Sequence, residues 1–352
     1  MKELIISQRA LKHNLTLLRE RAAGRILLGR LERDAFGLGF SSMAQFYYDE
    51  GLRTFTVDTS EHAARLRQKG FTDIDILVMR PKNTAEELLL LLETGAIAAV
   101  SDGEFAGALS ALAKARGTVA EAHIRVDCGS GSYGFLTSET EKIAALFEAM
   151  DGLAVTGIFT AYSAHLSAKE LRPQREAFGT LLELLHSRRL ETGLVHVCDG
   201  PLTLPNAGES SYALRIGASI CGLGLEKAGF RPAACLRTVL DEVHWLPAGT
   251  VLPGRGPLRK PLRVGLVPIG TADGIGAASV GRPLGLKKSI GQWLRPSRPA
   301  VHTSDGKRLP LACPPGATHM TLDTGKQDIG LGTEVYIQVN PQYCTRVERQ
   351  HV

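Results

Sequence analysis

The chain has 352 residues, of which 44% are hydrophobic and 22% are charged, so it has room for one barrel-sized domain and a smaller one. The net charge of +5 comes from scattered lysines and arginines, and no run of about 18 apolar residues occurs, so the composition predicts neither a nucleic-acid-binding surface nor a membrane span. The six cysteines follow irregular spacings without a Cys-x-x-Cys pair, which predicts free thiols and a cytoplasmic location.

Strands and helices alternate along the first two thirds of the chain. Short apolar runs predict buried strands, and each is followed by a segment whose apolar residues recur at helical spacing. With the region of Leu214 counted as the last strand, about eight strand–helix units are present, which is the number that closes a TIM-like (β/α)8 barrel. The predicted strands comprise residues 26–28, 54–57, 74–79, 97–100, 122–126, 155–160 and 195–198, and the predicted helices comprise residues 7–20, 42–49, 61–69, 84–93, 104–116, 138–150 and 173–191.

The pattern changes near Gly229. From Pro232 onward, short alternating strands are interrupted by glycine and proline, which is typical of an antiparallel β domain. We therefore expect an α/β protein with a (β/α)8 barrel at residues 8–228 and a C-terminal β domain that comprises residues 1–7 and 229–352. The clearest strands predicted in the β domain are Leu236 to Leu246, Leu262 to Pro268 and Val335 to Val339.

One motif stands directly after the first predicted barrel strand. Residues 32–39 read Glu-Arg-Asp-Ala-Phe-Gly-Leu-Gly, and Ala35 to Gly39 are predicted to form a tight loop at the strand end that carries chemistry in such barrels. The segment resembles the first barrel strand of alanine racemases, the fold-type III enzymes that use pyridoxal phosphate (PLP). In that family the motif is Lys-Ala-Asn-Ala-Tyr-Gly-His-Gly, and its lysine carries the cofactor as a Schiff base. Glu32 occupies the lysine position, and a carboxylate cannot form an imine.

The resemblance to alanine racemases extends over nearly the whole chain. His196 lies near the end of a predicted strand and is followed nineteen residues later by Arg215; in the family, this histidine supports an arginine that hydrogen-bonds the pyridine nitrogen of PLP. Residues 268–274 resemble the family's Gly-Tyr-Ala-Asp-Gly signature, and Leu322 lies where the family has the methionine of a Met-Asp pair. The resemblance implies a head-to-tail homodimer in which Thr271 of one subunit faces Glu32 of the other.

Several positions depart from the family pattern. The family's second base, a tyrosine, is Thr271, and an arginine that contacts the phenolate of the cofactor is Ser132. A lysine that is often carbamylated is Arg125, and a serine that binds the phosphate is Gly200, next to Asp199. Because PLP chemistry needs an amine, an acid–base pair and anchors for the cofactor, these departures imply that no cofactor is bound.

The remaining polar groups allow two interpretations of the predicted barrel mouth, by which we mean the C-terminal ends of the barrel strands. Arg215 and His196 would bind a ligand carboxylate or phosphate, together with the backbone of the glycine turn that follows. Alternatively, they pair with Asp199 or Asp127 and neutralise a buried cluster. The candidate ligand-binding residues are Arg125, Ser132, His196, Asp199, Arg215, Gly217, Ala218, Leu322 and Cys221, the last of which replaces a tyrosine of the family.

Catalytic roles are considered for four positions, Glu32, Thr271, Cys128 and Cys198. Two thiols that flank an α-carbon are the arrangement of cofactor-free racemases and epimerases, although cysteine is also a common small buried residue. A metal site is not expected, because the acidic and histidine residues near the barrel strands match no ligand spacing.

Three functional hypotheses follow from these observations. The preferred one is a PLP-independent member of the alanine racemase family that has lost racemisation and binds a small amino-acid-like or anionic ligand or a partner protein. The second is a cofactor-independent amino-acid racemase or epimerase with replaced chemistry. The third is a PLP-dependent alanine racemase in which the motif spacing misplaces the lysine.

Overall fold

The computed structural model describes residues 2–148, 150–162, 168–198, 211–276, 300–325 and 327–352. The contacts divide the chain into two compact units. The barrel unit comprises Leu15–Ala35 and Phe40–Ile220, and the β unit comprises Met1–Asn14, Phe36–Gly39 and Cys221–Val352. The domain limits that we expect from the sequence, with a boundary after residue 228, stay a prediction.

Strands and helices alternate along the barrel unit, whereas strands dominate the β unit. The strands are β1 (Lys2–Ile6), β2 (Leu27–Arg30), β3 (Thr54–Val57), β4 (Asp75–Val78), β5 (Ile97–Val100), β6 (Ala120–Asp127), β7 (Phe135–Leu136), β8 (Leu153–Thr160), β9 (Leu194–Cys198), β10 (Ala213–Ile216), β11 (Ala234–Val239), β12 (Glu242–Leu246), β13 (Val251–Leu252), β14 (Gly256–Pro257), β15 (Leu262–Val267), β16 (Val301–Thr303), β17 (Met320–Asp323), β18 (Glu334–Gln338) and β19 (Glu348–His351). The longer helices are α1 (Gln8–Ala22), α2 (Phe40–Asp49), α3 (Ser60–Gln68), α4 (Ala85–Thr94), α5 (Gly103–Ala115), α6 (Thr140–Glu148) and α7 (Ala168–Ser187).

The barrel unit closes on itself through parallel strands. Their order is β2–β3–β4–β5–β6–β8–β9–β10, and β10 pairs back with β2. Strands in such a barrel are covered on both faces, and all four residues of β5 are accordingly apolar and buried. Leu77, Ile97 and Phe159, from three different strands, belong to one buried apolar cluster. The predicted (β/α)8 barrel with a separate, largely antiparallel β domain is therefore confirmed.

Helix α7 differs most from its prediction. It begins at Ala168, so Pro173 lies inside it, and it ends at Ser187. The end comes early because Arg189 adopts a left-handed φ of 62°, which stops the helix. The predicted limits, residues 173–191, are therefore wrong at both ends. Within the described residues, no helix is long and apolar enough to cross a membrane.

In the described part of the β unit, the strands form three sheets, β16–β18–β11–β1–β19, β12–β15–β17 and β13–β14. The sequence predicts one strand from Leu236 to Leu246, and the structure corrects this to two strands, β11 and β12, in different sheets. The chain changes sheet at Leu240 and Asp241, because their N–H groups donate to the carbonyl groups of Thr333 and Leu266 respectively.

Candidate functional site

Four titratable side chains lie at or near the C-terminal ends of barrel strands. Glu32 follows β2, Arg125 lies in β6, His196 lies in β9 and Arg215 lies in β10. This is the end of a (β/α)8 barrel at which enzymes of this architecture place their chemistry. These strand ends are the barrel mouth, and the candidate site is built from them.

Glu32 is buried, with only 6% of its surface exposed. Its carboxylate accepts a hydrogen bond from Arg30 Nε at 2.6 Å and another from the hydroxyl of Thr56. A buried carboxylate needs such partners, since desolvation of an unpaired charge costs several kcal/mol. Glu32 is therefore satisfied by its own unit.

A left-handed turn follows Glu32. Residues 33–36 all have φ between 52° and 58°, although none is glycine. This conformation costs about 1–2 kcal/mol per residue, and two carboxylates stabilise it. Asp58 accepts from the N–H of Arg33 at 2.7 Å, and Asp34 accepts from the N–H of Phe40 at 2.6 Å. The tight loop predicted for residues 35–39 therefore begins earlier, as a strained turn of the kind found at functional sites.

Arg215 heads a buried chain of three side chains. Its Nη1 lies 2.8 Å from His196 Nδ1, and His196 Nε2 lies 2.9 Å from His123 Nδ1. Because a guanidinium only donates, His196 Nδ1 must accept, so its proton is on Nε2 and is donated to His123. The chain therefore fixes the tautomer of both rings and the orientation of Arg215.

Burial keeps both histidines neutral. Desolvation, reinforced by the charge of Arg215, lowers the pKa of His123 to about 4 and lowers that of His196 well below its usual range. Desolvation also lowers the pKa of Arg215 to about 10, which leaves it a cation at neutral pH. The Phe159 ring stacks on His196 with centroids 4.7 Å apart and lies 4.6 Å from the guanidinium carbon of Arg215, so it contributes a cation–π contact.

The acidic partner expected for Arg215 is not observed among the described residues. Arg215 Nη2 donates instead to the carbonyl of Thr160 at 2.9 Å, and Arg215 Nε is buried without a hydrogen-bond partner there. Asp199 lies outside the described residues, so its predicted pairing with Arg215 stays a prediction. The other proposed partner, Asp127, accepts from the N–H groups of residues 129, 130 and 132. Although burial opposes it, the hydrogen bond from the hydroxyl of Ser130, together with those from the three N–H groups, lowers the pKa of Asp127.

Two further predicted binding residues contact each other. Arg125 Nη2 donates to the hydroxyl of Ser132 at 3.3 Å, and its guanidinium carbon lies 5.1 Å from the ring centroid of Tyr133. Gly217 accepts from the N–H of Ile220 at 3.2 Å at the start of a short 3₁₀ turn. That turn contains the other candidates that follow β10, Ala218 and Cys221.

The two candidate thiols have separate partners. Cys128 Sγ donates to the Thr160 hydroxyl at 3.2 Å, whereas Cys198 Sγ donates to the carbonyl of Tyr162 at 3.7 Å. Burial raises the pKa of Cys128 to about 11, so it is a thiol at neutral pH and not a base. Of the candidates in the β unit, Thr271 is exposed in a short turn, and Leu322 is buried in β17.

Sequence reasoning missed His123, Thr160 and Phe159. His123 was detectable, because it precedes Arg125 by two residues in β6 and successive side chains of a strand alternate between faces. No sequence signal links Thr160 to Arg215, since they meet only because β8 and β10 both pair with β9 in the barrel. Within the described residues, no group of three or more histidine, cysteine or acidic side chains suits a metal ion.

Comparisons with known proteins agree on one family. The family model "Alanine racemase, N-terminal domain" matches residues 6–225. The alanine racemase of Thermodesulfovibrio yellowstonii is 27% identical over 251 residues, which cover 70% of this chain but only 66% of that protein, just under two thirds. Alanine racemase from Streptomyces coelicolor A3(2) superimposes with a TM-score of 0.83 at 22% identity, covering 100% of this chain and 98% of that one. Alanine racemase from Bartonella henselae, with covalently bound pyridoxal phosphate, gives 0.79 at 18% identity over 100% and 99%.

The expectation that no cofactor is bound is wrong in the light of these comparisons. The matched proteins are alanine racemases, and the one from B. henselae carries covalently bound PLP, so the family points to PLP. The expectation failed because the replacement of single anchor residues does not mean that the whole site is lost. The barrel is common to this chain and to the matched alanine racemases.

The described residues fit one end of PLP better than the other. Arg215 Nε is a buried donor without a partner among them, which suits the acceptor nitrogen of a pyridine ring. Glu32, which the motif spacing matches with the family's lysine, presents a carboxylate that Arg30 and Thr56 already bond. No amine therefore stands at this position for covalent attachment.

The family itself is settled by the extent of the match. It spans well over half of the chain and includes every strand of the closed barrel. This chain belongs to the alanine racemase family.

Proposed function

We propose that this chain is a ligand-binding member of the alanine racemase family that holds PLP or a small amino-acid-like anion in its barrel mouth and does not racemise amino acids. The observation that carries the proposal is the burial and pairing of the Glu32 carboxylate. It is a buried carboxylate, bonded to Arg30 and Thr56, at the place where the motif spacing puts the family's lysine. A carboxylate supplies neither an imine nor, in a salt bridge, a free base.

Binding is supported by Arg215. Leaving a buried charged donor unpaired costs several kcal/mol, so a ligand acceptor at Nε would recover that free energy. His196, His123 and Phe159 hold the guanidinium in place, so little entropy is lost when a ligand binds. PLP is the first candidate ligand because the B. henselae relative carries it, and when bound PLP supplies an electron sink for a carbanion.

The absence of racemisation is supported by the groups that would move the α-proton. Thr271, at the place of the family's tyrosine, has an aliphatic hydroxyl, which is a far weaker acid than a phenol. Cys128 is a protonated thiol at neutral pH, so it does not favour the alternative of a cofactor-independent epimerase.

We also propose a homodimer, in which Thr271 of each subunit faces the partner's barrel mouth. Thr271 is exposed, and its turn is fixed because its N–H donates to Gly316 at 2.9 Å. A genuine racemase subunit is the alternative partner. Light scattering at micromolar concentration is expected to give the dimer mass, and a monomer would contradict the proposal.

The binding proposal is tested by titrating the purified protein with PLP and reducing the mixture with borohydride. We expect saturable binding that Arg215→Met weakens strongly, and no reduced adduct on a lysine of the barrel unit in peptide mass spectra. A stoichiometric adduct there would show that another lysine replaces Glu32 and would overturn the proposal.

A further inference from the structure

A cavity of about 530 Å³ opens beside the C-terminal ends of β3, β4, β5 and β6. Its walls include Met79, Arg80, Lys82, Phe105, Arg125 and Tyr133, all from the barrel unit. Neither Glu32 nor Arg215 lines it, so it is a separate compartment of the barrel mouth that shares Arg125 with the candidate site.

The cations in this cavity differ in how far they are already neutralised. Arg80 forms a salt bridge with Asp58. Lys82, in contrast, is exposed and forms no salt bridge with the residues that the structure describes. Among the described residues, Arg125 makes two long hydrogen bonds to neutral oxygens, at 3.3 and 3.4 Å. Glu61 attracts Lys82 and Glu32 attracts Arg125, but neither pair forms a salt bridge among the described residues, so both cations keep donors for a ligand.

The carboxylate of Asp102, which also lines the cavity, already has a hydrogen-bond donor. Asp102 caps helix α5 by accepting from the N–H of Phe105 at 2.8 Å. Its negative charge is therefore stabilised by the N-terminus of that helix. The cavity keeps a surplus of positive charge, which favours an anion.

Apolar groups form the rest of the lining. Met79 and Phe105 are buried beneath the cavity, and the ring of Tyr133 is 65% exposed and lies over Arg125. An aromatic ring that leaves most of its surface to solvent retains a face on which a ligand can pack. A ligand that suits this cavity therefore combines charge with an apolar body.

From this arrangement we infer a second binding site, for a small organic dianion whose charges meet Lys82 and Arg125 and whose apolar body packs against Met79, Phe105 and Tyr133. The dianion is either a phosphate monoester or a dicarboxylate. The inference goes beyond the proposed function, because it needs neither Glu32 nor Arg215.

Calorimetric titration in a phosphate-free, low-salt buffer tests the site with three probes: phenyl phosphate, succinate and inorganic phosphate. We expect saturable binding of an organic probe, which Lys82→Gln weakens by about tenfold, the loss of one charge-assisted contact. The matched control Lys69→Gln removes an exposed lysine outside the cavity and is expected to bind like the wild type. The stronger of phenyl phosphate and succinate identifies the class of dianion.

Three results of this titration would overturn the inference. They are the absence of saturable binding for both organic probes, equal binding by Lys82→Gln and Lys69→Gln, and inorganic phosphate binding as tightly as phenyl phosphate, which would remove the role of the apolar lining. Arg215→Lys separates the two sites. It is expected to weaken PLP binding and to leave the dianion site unchanged, and a loss of dianion binding in this variant would place the anion at Arg215 instead.

Discussion

The two sides of the barrel mouth differ in what they leave for a ligand. On the arginine side, formed by Arg215, His196 and His123, a rigid buried cation keeps one donor without a partner among the described residues. On the glutamate side, each carboxylate oxygen of Glu32 accepts one hydrogen bond, from Arg30 and from Thr56. Under the proposed function, ligand binding and internal stability are divided between the two sides, since a donor without a partner gains more from a ligand than a carboxylate that is already paired.

The largest expected effect concerns pH and the arginine side. In the unfolded chain His123 takes up a proton below pH 6.5, but in the folded chain only below about 4. The contribution of His123 to the free energy of unfolding is therefore fully present above pH 6.5. It is lost as the pH is lowered to 4, which reduces the free energy of unfolding by about 3 kcal/mol. Urea unfolding across this range measures the loss.

The matched variants for this prediction are His123→Gln, which removes the titrating group, and His319→Gln, which removes an exposed histidine. The first is expected to have a shallower dependence on pH than the wild type, and the second the same dependence. If the free energy of unfolding changed equally with pH in all three proteins, burial would not hold His123 and His196 neutral.

The next effect concerns binding on the arginine side. Arg215→Met removes the donor that has no partner among the described residues, so we expect PLP to bind about a hundredfold more weakly in a fluorescence titration. Arg172→Met, which removes an exposed arginine from α7, is the control and should bind normally. Unchanged affinity in a folded Arg215→Met protein would remove the distinction between the two sides.

A steric change sharpens the same comparison. A Cβ atom at Gly157 would lie 2.7 Å from the ring of His123, which cannot move away because it is buried and bonded to His196. Gly157→Ala is therefore expected to destabilise the protein by about 2 kcal/mol and to weaken PLP binding. Gly179→Ala in α7 meets no atom within 4 Å and serves as the control. Chemical denaturation that ranks the two variants equally would contradict the packing of His123.

The smallest effect concerns the glutamate side. Glu32→Gln keeps an acceptor for Thr56 but removes the charge that pairs with Arg30, so we expect a loss of about 1 kcal/mol in the free energy of unfolding. The affinity for PLP should stay unchanged. A large gain or loss of affinity would show that Glu32 meets the ligand directly.

The sequence predicts the fold well because its barrel strands are short apolar runs between helices, as in β5. The position of Glu32 was also predictable, since it is counted back from Gly37 and Gly39 of the motif. The left-handed turn that follows was not, because residues 33–36 include no glycine and Arg33 is held by Asp58, which follows the next strand, β3. The carbonyl partner of Arg215, Thr160, was not predictable either, because the two residues are 55 positions apart and lie in β10 and β8, the two strands that flank β9.

Exchange of the α-proton of alanine with solvent deuterium tests most directly the central claim that the chain does not racemise amino acids. Alanine is incubated with the protein and saturating PLP in deuterium oxide, and proton NMR follows the α-proton, with PLP alone as the blank. The proposed function predicts no exchange above the blank, both in the wild type and in Glu32→Lys, because Thr271 still leaves the second base missing. Exchange catalysed by the wild type would contradict the proposal and would establish the chain as a working racemase.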